Sequence, residues 1–493
     1  MEIARVYSDV TRDDLGKFNE LLPSPYKLFP EQLESAVMAY QFEMNAILGP
    51  SGSGKTTIFC FLAIYNWFAL RRKTLLLTTR RGAANEITLR IVRMSKFLLE
   101  LPQFRHLNNE RQYIWCKLEK DSLLEHKDPE IRDVCSFDHE HPEQITMLVA
   151  VLNFLTSAPV LRFKCDRIVM DEASSVSTLN FYTLLAVQNM EKRHLPQHLT
   201  IFGDQFQLSA RFSKETFLGD KDEKDFGFDE SALVQLLKCK LPCTQMKSTV
   251  RSPKALCKII QPFYDYTISA DLTALARPLA LRFDPFGGLC DLHRIVHPKF
   301  VSIFINLPAK DANGNHFCAA DGRRDSEPDR RLNLINRRNI HYALCIFDAI
   351  LERNSDISNK DCLYLTPYRV QESEFHHRRS KPGATGSIRG QTIDRAVSTE
   401  APFVLLDLVR TSSNGFMNGT PEEWPAYGTA QRLLVALSRA TRAQIIIGSV
   451  GNSLGTPSNP IEKLAAYHRD SRDSLVGYID MPSSRFSSDH YKV

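Results

Sequence analysis

The sequence predicts an α/β protein built from doubly wound parallel sheets, and three observations lead to that fold class. A complete glycine-rich motif, G-x-x-x-x-G-K-[ST], occupies residues 49–56. Short apolar runs recur along the chain, and polar or charged residues follow them directly. Segments with a helical pattern separate these runs. Buried parallel strands have this composition, and open α/β sheets bind ligands beyond the carboxyl ends of their strands.

The glycine-rich motif lies between an apolar run, residues 46–48, and an apolar segment, residues 58–70, so its context is strand, loop and helix. Its glycines allow backbone angles that a Cβ would block, which turns successive N–H groups toward one point. Lys55 can reach the β- and γ-phosphates of a nucleotide, and the Thr56 hydroxyl can coordinate Mg²⁺. The motif therefore predicts a nucleoside triphosphate site with Mg²⁺. The residues expected to bind the nucleotide here are Gly49, Pro50, Ser51, Gly52, Ser53, Gly54, Lys55, Thr56 and Thr57.

At 493 residues the chain is too long for one hydrophobic core. We expect a lead-in over residues 1–27, a first domain over 28–245, a second over 246–454 and a tail over 455–493. The net charge of +5 permits binding to a polyanion without requiring it.

The eleven cysteines are scattered, and no N-terminal segment resembles a signal peptide. No apolar run reaches the length of about 18 residues that a membrane span needs. An intracellular protein, cytoplasmic or nuclear and without a membrane partner, is therefore expected. Cys239 with Cys243, or Cys135 with His139 and His141, could bind a metal. Neither group has a second matching pair at zinc-finger spacing, so zinc is the less favoured interpretation.

Before the glycine-rich motif, residues 29–37 have the pattern of a short helix that begins near Pro30. Gln32 in this helix would lie beside the nucleotide base, where its amide can pair with the adenine edge. After the motif, residues 73–79 predict a second strand. Arg80 and Arg81 follow at its carboxyl end, where a ligand would bind.

Residues 100–143 are charged and irregular, which predicts an insertion of helices and loops. Strands are expected over 167–170, directly before Asp171, and over 199–202. A surface loop over 212–230 and a helix over 231–238 complete the predicted first domain.

The second half repeats the α/β pattern. Residues 363–366 and 403–409 predict strands, 432–440 a helix and 444–447 the last strand. In the tail we expect one possible helix near 460–470 and a polar, disordered end from residue 483.

Two acidic residues follow the strand that ends at residue 170. Asp171 can hold Mg²⁺, and Glu172 can orient and deprotonate the attacking water. Gln207 could sense the γ-phosphate. Phosphoryl transfer also needs cationic groups, for which Arg251 and Arg439 are the candidates from the second half. If both come from the second domain, ATP closes a cleft between two domains and hydrolysis opens it.

The order of the motifs resembles superfamily 1B helicases, in the branch typified by the nonsense-mediated-decay helicase and senataxin. The residues that match are Gly-Pro-Ser-Gly-Ser-Gly-Lys-Thr, Asp-Glu-Ala-Ser, Gly-Asp-Gln-x-Gln-Leu, Thr-Pro-Tyr-x-x-Gln and Leu-Leu-Val-Ala-Leu-Ser-Arg-Ala. The resemblance runs from about residue 28 to residue 448. It implies two RecA-like domains with ATP in the cleft between them, single-stranded nucleic acid across their top, and 5′ to 3′ movement.

By matching position, Gln32 resembles the adenine-reading glutamine, and Asp171 and Glu172 resemble the metal and water residues. Gln207 resembles the γ-phosphate sensor and Arg439 the arginine finger. The stretch Thr366, Pro367 and Tyr368, and the region of Thr392, resemble segments that touch the nucleic-acid backbone.

The chain departs from the family pattern at several positions. Residues 249–253 replace Gln-Tyr-Arg-Met-His-Pro and keep Arg251, but offer no ring to stack on adenine. Residues 397–400 replace Gln-Gly-x-Glu, and only Glu400, a nucleotide-binding residue by this resemblance, is retained. Arg80 and Arg81 stand where a small hydroxyl and Asn are usual. We expect no accessory barrel of the kind that often precedes the glycine-rich loop in this family, because the 48 residues before the loop leave no room for it.

Basic clusters near strand ends predict binding to a nucleic-acid backbone, with an affinity that falls steeply with salt. They are Arg71-Arg72-Lys73, Arg80-Arg81, Arg90 with Arg93, Arg337-Arg338 and His376-His377-Arg378-Arg379. The resemblance favours single-stranded RNA over DNA. Protein partners could bind the insertion or the tail.

Three functions fit the sequence. The first is an ATP-dependent helicase or translocase, and the second is a nucleic-acid-stimulated ATPase that clamps or remodels ribonucleoprotein without unwinding. The third is a nucleotide-binding scaffold that does not hydrolyse ATP. Because the predicted hydrolysis residues are all present, an active ATPase is the favoured prediction.

Overall fold

The computed structural model describes residues 10–109, 113–117, 145–154, 160, 163–190, 198–207, 231–270, 277–282, 296–310, 319–320, 334–379, 388–397, 399–409, 429–450 and 460–481. The chain divides into two compact units. Unit 1 comprises Met1–Gln205 and Ser209–Ser248, and unit 2 comprises Phe206–Leu208 and Thr249–Val493.

Unit 1 combines helices with a parallel sheet. Its described helices are α1 (Arg12–Leu21), α2 (Pro30–Gln41), α3 (Lys55–Phe68), α4 (Arg81–Glu100), α5 (Thr178–Met190) and α6 (Ala232–Lys238). Its described strands are β1 (Met44–Leu48), β2 (Thr74–Thr78), β3 (Tyr113–Lys117), β4 (Ile145–Val151), β5 (Arg167–Met170), β6 (His198–Gly203) and β7 (Cys243–Gln245).

These seven described strands form one parallel sheet in the order β3-β4-β2-β5-β6-β1-β7. Successive side chains of a strand point to opposite faces, and both faces are covered. Ile47 and Leu76 pack on one face with residues of α1 to α4. Leu48 and Leu77 pack on the other with residues of α5 and α6. The continuous apolar runs of the sequence are explained by this double burial.

The predicted lead-in is partly helical. Thr11 caps α1, because its hydroxyl accepts from the Asp14 N–H (3.2 Å) and the Asp14 carboxylate accepts in return. Leu15 and Phe18 of this helix lie in the core beside α3. Residues 12–22 thus belong to unit 1 as a packed element.

The expectation of helices and loops over 100–143 is wrong at β3, which pairs in parallel with β4 at the edge of the sheet. A short 3₁₀ helix, Pro102–Asn109, precedes β3. Residues 118–143 of the predicted insertion lie outside the described residues. This edge strand was not predicted, because charged residues surround it in the sequence and its pairing partner β4 is distant along the chain.

Unit 2 has the same type of architecture. Its described helices are α7 (Lys254–Ile260), α8 (Arg337–Arg353), α9 (Arg369–Arg379), α10 (Thr429–Leu437) and α11 (Pro460–Asp470). Strand β8 (Ser248–Thr249) lies at the unit boundary in sequence. The strands that follow are β9 (Ser269–Ala270), β10 (Leu279–Arg282), β11 (Val296–Phe300), β12 (Ser302–Asn306), β13 (Ala319–Ala320), β14 (Leu334–Ile335), β15 (Cys362–Thr366), β16 (Arg389–Thr392), β17 (Ala401–Asp407), β18 (Ala440–Gly448) and β19 (Val476–Asp480).

The main described sheet of unit 2 is parallel, in the order β16-β15-β17-β18-β12-β19. Leu365 and Leu406 pack on one face with residues of α7, α10 and α11. Tyr364 and Leu405 pack on the other with residues of α8 and α9. The predicted fold class, two doubly wound parallel-sheet domains, is confirmed.

Three strands of the main sheet of unit 2, β12, β16 and β19, were not predicted from the sequence. The sequence prediction missed β12, which lies between β18 and β19. The predicted last strand, part of β18, is also not the last, because β19 from the tail pairs with β12. The helix expected near 460–470 is α11, whereas the polar end from residue 483 lies outside the described residues. An edge strand such as β19 carries too little local pattern to be recognised alone.

Within the part of the chain that the structure describes, no helix combines the length and apolar composition needed to cross a bilayer.

Candidate functional site

The glycine-rich loop joins the carboxyl end of β1 to the start of α3. Gly52 and Gly54 have φ angles of 79° and 84°, in the left-handed region that side chains disfavour. At Gly54 a Cβ would also lie 2.1 Å from Nε2 of Gln32. The first turn of α3 follows at once, so backbone N–H groups and the positive end of the helix face the same point. This cradle fits a polyphosphate.

Lys55 is the first residue of α3, and its ammonium turns back over the loop. Nζ donates to the carbonyl oxygens of Gly49 (2.6 Å) and Pro50 (3.0 Å). Ser51 and Ser53 of the loop are buried, and Thr57 accepts a hydrogen bond from Nη1 of Arg90 on α4 (2.9 Å). Lys55, the only cationic residue among residues 49–57, is thus bound by carbonyl oxygens of the loop itself.

Thr56 and Asp171 are brought together although they lie 115 residues apart in sequence, with 3.5 Å between Thr56 Oγ1 and Asp171 Oδ2. Asp171 follows β5, which is separated from β1 only by β6. Hydroxyl and carboxylate oxygens are hard donors of the kind that Mg²⁺ prefers, so this pair fits the ion.

The Asp171 carboxyl is 5% exposed, and burial raises its pKa to about 7. The Glu172 carboxylate adds to the rise, whereas the Glu172 N–H, Lys55 and the Thr56 hydroxyl oppose it. A bound divalent cation would favour the ionised form of this group.

Glu172 has a φ angle of 56°, uncommon for a residue with a side chain. Its N–H donates to Asp171 Oδ1 (2.8 Å), and its carbonyl oxygen accepts from the Ser175 hydroxyl (2.8 Å). These bonds hold the turn after β5 in a strained conformation, as occurs at functional sites. The Glu172 side chain is only half-buried, unlike that of Asp171.

Gln32 lies beside the loop, but its amide already bonds to protein at both ends. Oε1 accepts from the Phe29 N–H (2.9 Å), which caps α2, and Nε2 donates to the Ser53 carbonyl (2.9 Å). The predicted pairing with adenine would require an exchange of one of these bonds.

Unit 2 gathers three predicted residues around the starts of β17 and β18. Arg251 forms an ion pair with Glu400, the residue before β17. The Ala401 N–H donates to the Arg439 carbonyl (3.1 Å), and Arg439 precedes β18. Ser252 donates through its hydroxyl to the Ala440 carbonyl (3.4 Å).

Arg439 itself is 2% exposed, and unit 2 binds its guanidinium. Nε donates to Val435 O (2.8 Å), Nη2 donates to the Ser438 hydroxyl (2.7 Å), and Nη1 donates to the carbonyls of Ala396 (3.4 Å) and Val397. In this conformation the predicted arginine finger therefore holds the turn before β17.

Of the remaining predicted residues, all but Gln207 lie at or just after the carboxyl ends of strands. Arg80 precedes α4 and Arg81 begins it, directly after β2. Gln207 is buried and falls within unit 2. Thr366 is the last residue of β15 and Thr392 of β16.

Two of the residues predicted to touch nucleic acid, Thr366 and Tyr368, are buried, whereas Pro367 and Thr392 are half-buried. In this conformation the side chains of this pair therefore lie in the interior of unit 2 and not at its surface.

A buried network beside the loop after β15 was missed by the sequence prediction. Asp407 is the last residue of β17. Its carboxylate accepts hydrogen bonds from Tyr364 (2.6 Å), Gln371 (2.6 Å), Asn339 (2.7 Å) and the Val409 N–H (2.8 Å). Gln371 could be identified from the sequence as the last residue of Thr-Pro-Tyr-x-x-Gln. Its buried partner Asp407 could not be identified in that way. The four donors oppose the rise in the pKa of Asp407 that burial causes.

Among the described residues, no group of three or more His, Cys, Asp or Glu side chains is arranged to hold a metal. Cys239 and Cys243 are exposed free thiols. Cys135, His139 and His141 lie outside the described residues.

Comparisons with known proteins agree with this architecture. Two family models, each described as an AAA domain, match residues 32–213 and 228–451 and together cover most of the chain. They correspond to the paired ATPase domains typical of superfamily 1 helicases. Comparison with curated protein sequences gave no match.

Several solved structures match this chain at low sequence identity. The PRRSV helicase has 15% identity and a TM-score of 0.37, over 87% of this chain and 58% of that one. Arterivirus nonstructural protein 10, a helicase in complex with DNA, has 13% identity and a TM-score of 0.40, over 86% and 64%. The DUF1998 helicase MrfA, bound to DNA and AMPPNP, has 11% identity and a TM-score of 0.39, over 95% and 54%. The chain thus spans less than two thirds of the length of each of these proteins.

Proposed function

We propose that this chain is a superfamily 1 helicase, which hydrolyses Mg-ATP and uses the cycle to translocate along single-stranded nucleic acid. One observation supports the proposal above the others: Lys55, Thr56, Asp171 and Glu172 lie at the carboxyl ends of nearby strands of one sheet. A loop that binds phosphate, a metal-ligand pair and a general base are the parts that phosphoryl transfer to water requires.

Each residue has a distinct task in the proposed reaction. The Lys55 ammonium would leave the loop carbonyls of Gly49 and Pro50 to bind β- and γ-phosphate oxygens, and Thr56 and Asp171 would hold the metal. Bound Mg²⁺ neutralises charge on the phosphate oxygens. The Glu172 carboxylate orients the attacking water and accepts its proton, and Gln207 responds to the γ-phosphate.

The cationic part of the site is assigned to unit 2. Arg439 stabilises charge on the transferred phosphoryl group after its guanidinium leaves the carbonyls that bind it here. Arg251, held by Glu400, contributes a second positive charge. The adenine base is assigned to Gln32.

The proposed substrate is single-stranded RNA in preference to DNA, on the family resemblance alone. Arg80 and Arg81 suit contacts with phosphates, since both follow a strand at its carboxyl end. The loop from Thr366 to Tyr368 and the end of β16 at Thr392 would approach the backbone, with the buried side chains acting as support.

A nucleic-acid-stimulated ATPase that clamps without unwinding is the second candidate. The replacement of Gln-Gly at residues 397 and 398 favours it, since that stretch links ATP to nucleic acid in the family pattern. We further propose an intracellular location, and protein partners that bind residues 100–143 or the tail.

The deciding experiment measures ATP turnover with poly-ribonucleotide and poly-deoxyribonucleotide at two salt concentrations. We expect stimulation by the RNA polymer, weaker at high salt, and none in Lys55→Ala. Strand displacement then separates the helicase from the clamp. Wild-type protein that binds ATP without turnover would leave the scaffold as the better description.

A further inference from the structure

The segment that ends unit 1 runs alongside the glycine-rich loop. β7 pairs in parallel with the last three residues of β1, and the Met246 N–H donates to the Leu48 carbonyl (2.8 Å). The Met246 side chain is 1% exposed and lies 3.1 Å from the position of a Cβ on Gly49. The first glycine of the loop therefore leaves room for this segment.

The next two residues, Lys247 and Ser248, bond to a side chain. Their consecutive N–H groups donate to the two carboxylate oxygens of Glu31, at 2.7 Å to Oε1 and 3.1 Å to Oε2. Hydrogen bonds to a charged acceptor are stronger than those between neutral groups. Lys247 and Ser248 are the last residues of unit 1 before the chain continues into unit 2.

Glu31 adjoins Gln32 in the first turn of α2, and Gln32 is tied to the loop on its other side. The Gln32 amide donates to the Ser53 carbonyl, and its side chain occupies the space next to Gly54. Glu31 and Gln32 share the backbone of the first helical turn. A displacement of the Ser53–Gly54 turn would therefore reach Glu31 through that turn.

We propose that Glu31 is a positioning residue that couples the nucleotide-binding loop to the segment leading from unit 1 to unit 2. Nucleotide binding shifts the loop, Gln32 follows the Ser53 carbonyl, and Glu31 moves Lys247 and Ser248 through their N–H groups. The proposal rests on the proposed function because it assigns the movement to the ATP cycle. Sequence reasoning could not identify the contact, since Glu31 and Lys247 lie 216 residues apart.

The test compares the full chain with Glu31→Ala, Glu31→Gln and Glu34→Ala. Glu34 lies on the same helix but pairs with the exposed Arg12 (2.6 Å), so its variant is a matched control. Amide hydrogen exchange at residues 247 and 248 is measured with and without AMPPNP. We expect exchange in the nucleotide-free protein to rise about tenfold or more in Glu31→Ala, and less in Glu31→Gln, which keeps one acceptor oxygen.

AMPPNP should alter exchange at residues 247 and 248 in the wild type and in Glu34→Ala, and the effect should be absent in Glu31→Ala. ATP turnover should show a lower kcat in Glu31→Ala, by roughly fivefold or more, with KM changed less than about twofold. A contact that only stabilises the fold would lower the melting temperature and leave the nucleotide effect intact.

An exchange rate in the wild type that does not respond to bound AMPPNP overturns the coupling. A response that persists in Glu31→Ala overturns the role of Glu31. If the wild type binds AMPPNP but does not turn over ATP, the proposed function fails, and the exchange measurement still decides the coupling.

Discussion

The guanidinium of Arg251 forms an ion pair with the carboxylate of Glu400 inside unit 2. Separate motifs assigned these residues to the nucleotide site, and the structure shows that they are also partners. Their side chains are 24% and 51% exposed, so solvent screens the attraction. Glu400 is thus suited to orient Arg251 more than to stabilise the fold.

A double-mutant cycle tests this orientation. We expect Arg251→Ala to reduce kcat/KM for ATP strongly. Glu400→Gln should reduce kcat/KM about two- to fivefold, which corresponds to the free energy of an ion pair that solvent screens. In the Arg251→Ala background, Glu400→Gln should have little further effect. Losses that simply multiply would show that the two residues act independently.

Hydrolysis should depend on Lys55 and Glu172. Lys55→Ala removes the cation at the mouth of the loop, and Glu172→Gln removes the group that accepts the proton from water, so we expect both to abolish turnover. Glu172→Gln should still bind ATP, as measured with a fluorescent analogue. Full turnover in either variant would remove the catalytic assignment.

Arg439→Ala should slow the chemical step by roughly 10³-fold or more and leave ATP binding mostly intact. The structure adds a second effect, because the carbonyls of Val435, Ala396 and Val397 each lose one donor, although the Ser438 hydroxyl still donates to Val435 and the Thr399 N–H to Ala396. A lower melting temperature of unit 2 should therefore accompany the slower step. Single-turnover rates measured well below the melting temperature separate the two, and a wild-type rate there would exclude an arginine finger at this position.

Asp171 makes the stability of the nucleotide-free protein depend on pH. Its folded-state pKa of about 7 lies above the ordinary 3.8, so between these values the folded chain keeps a proton that the unfolded chain has lost. Stability therefore falls as pH rises across that interval, and ionised Asp171 destabilises the fold above it. We expect Asp171→Asn to melt several degrees higher than the wild type at about pH 8 without Mg²⁺, and equally at about pH 4. A difference independent of pH would contradict the raised pKa.

His468 produces the opposite dependence. Burial lowers its pKa to about 4 from 6.5, and the ring bonds to the Leu464 carbonyl and the Ser302 hydroxyl. As pH falls, His468 takes up a proton in the unfolded chain before it does so in the folded one. The stability that is present above pH 6.5 is therefore lost as the pH falls toward about 4. The fall in melting temperature across this range should be shallower in His468→Gln. A slope in His468→Gln equal to that of the wild type would contradict the lowered pKa of His468.

The fold class and the nucleotide loop could be predicted because both have local signals. Strand, glycine-rich loop and helix follow one another within 25 residues or so, and buried parallel strands are recognisable as apolar runs. The boundaries of β1, β5 and β15 were predicted to within about two residues for that reason. The prediction missed the edge strands β3, β7, β16 and β19, each of which pairs with one neighbour only. It also missed β4 and β12, which are buried inside the two sheets, so an apolar run did not by itself ensure recognition.

The sequence by itself determined which residues are available for phosphate and metal, because Lys55, Thr56, Asp171 and Glu172 stand in motifs with strand ends beside them. Tertiary structure alone decided their partners. It put Asp407 among four donors, bound Arg439 to the carbonyls before β17 and joined Glu31 to the last residues of unit 1. The physical reason is that these contacts join segments far apart in sequence, and hydrogen-bond geometry in a packed interior depends on how whole elements meet.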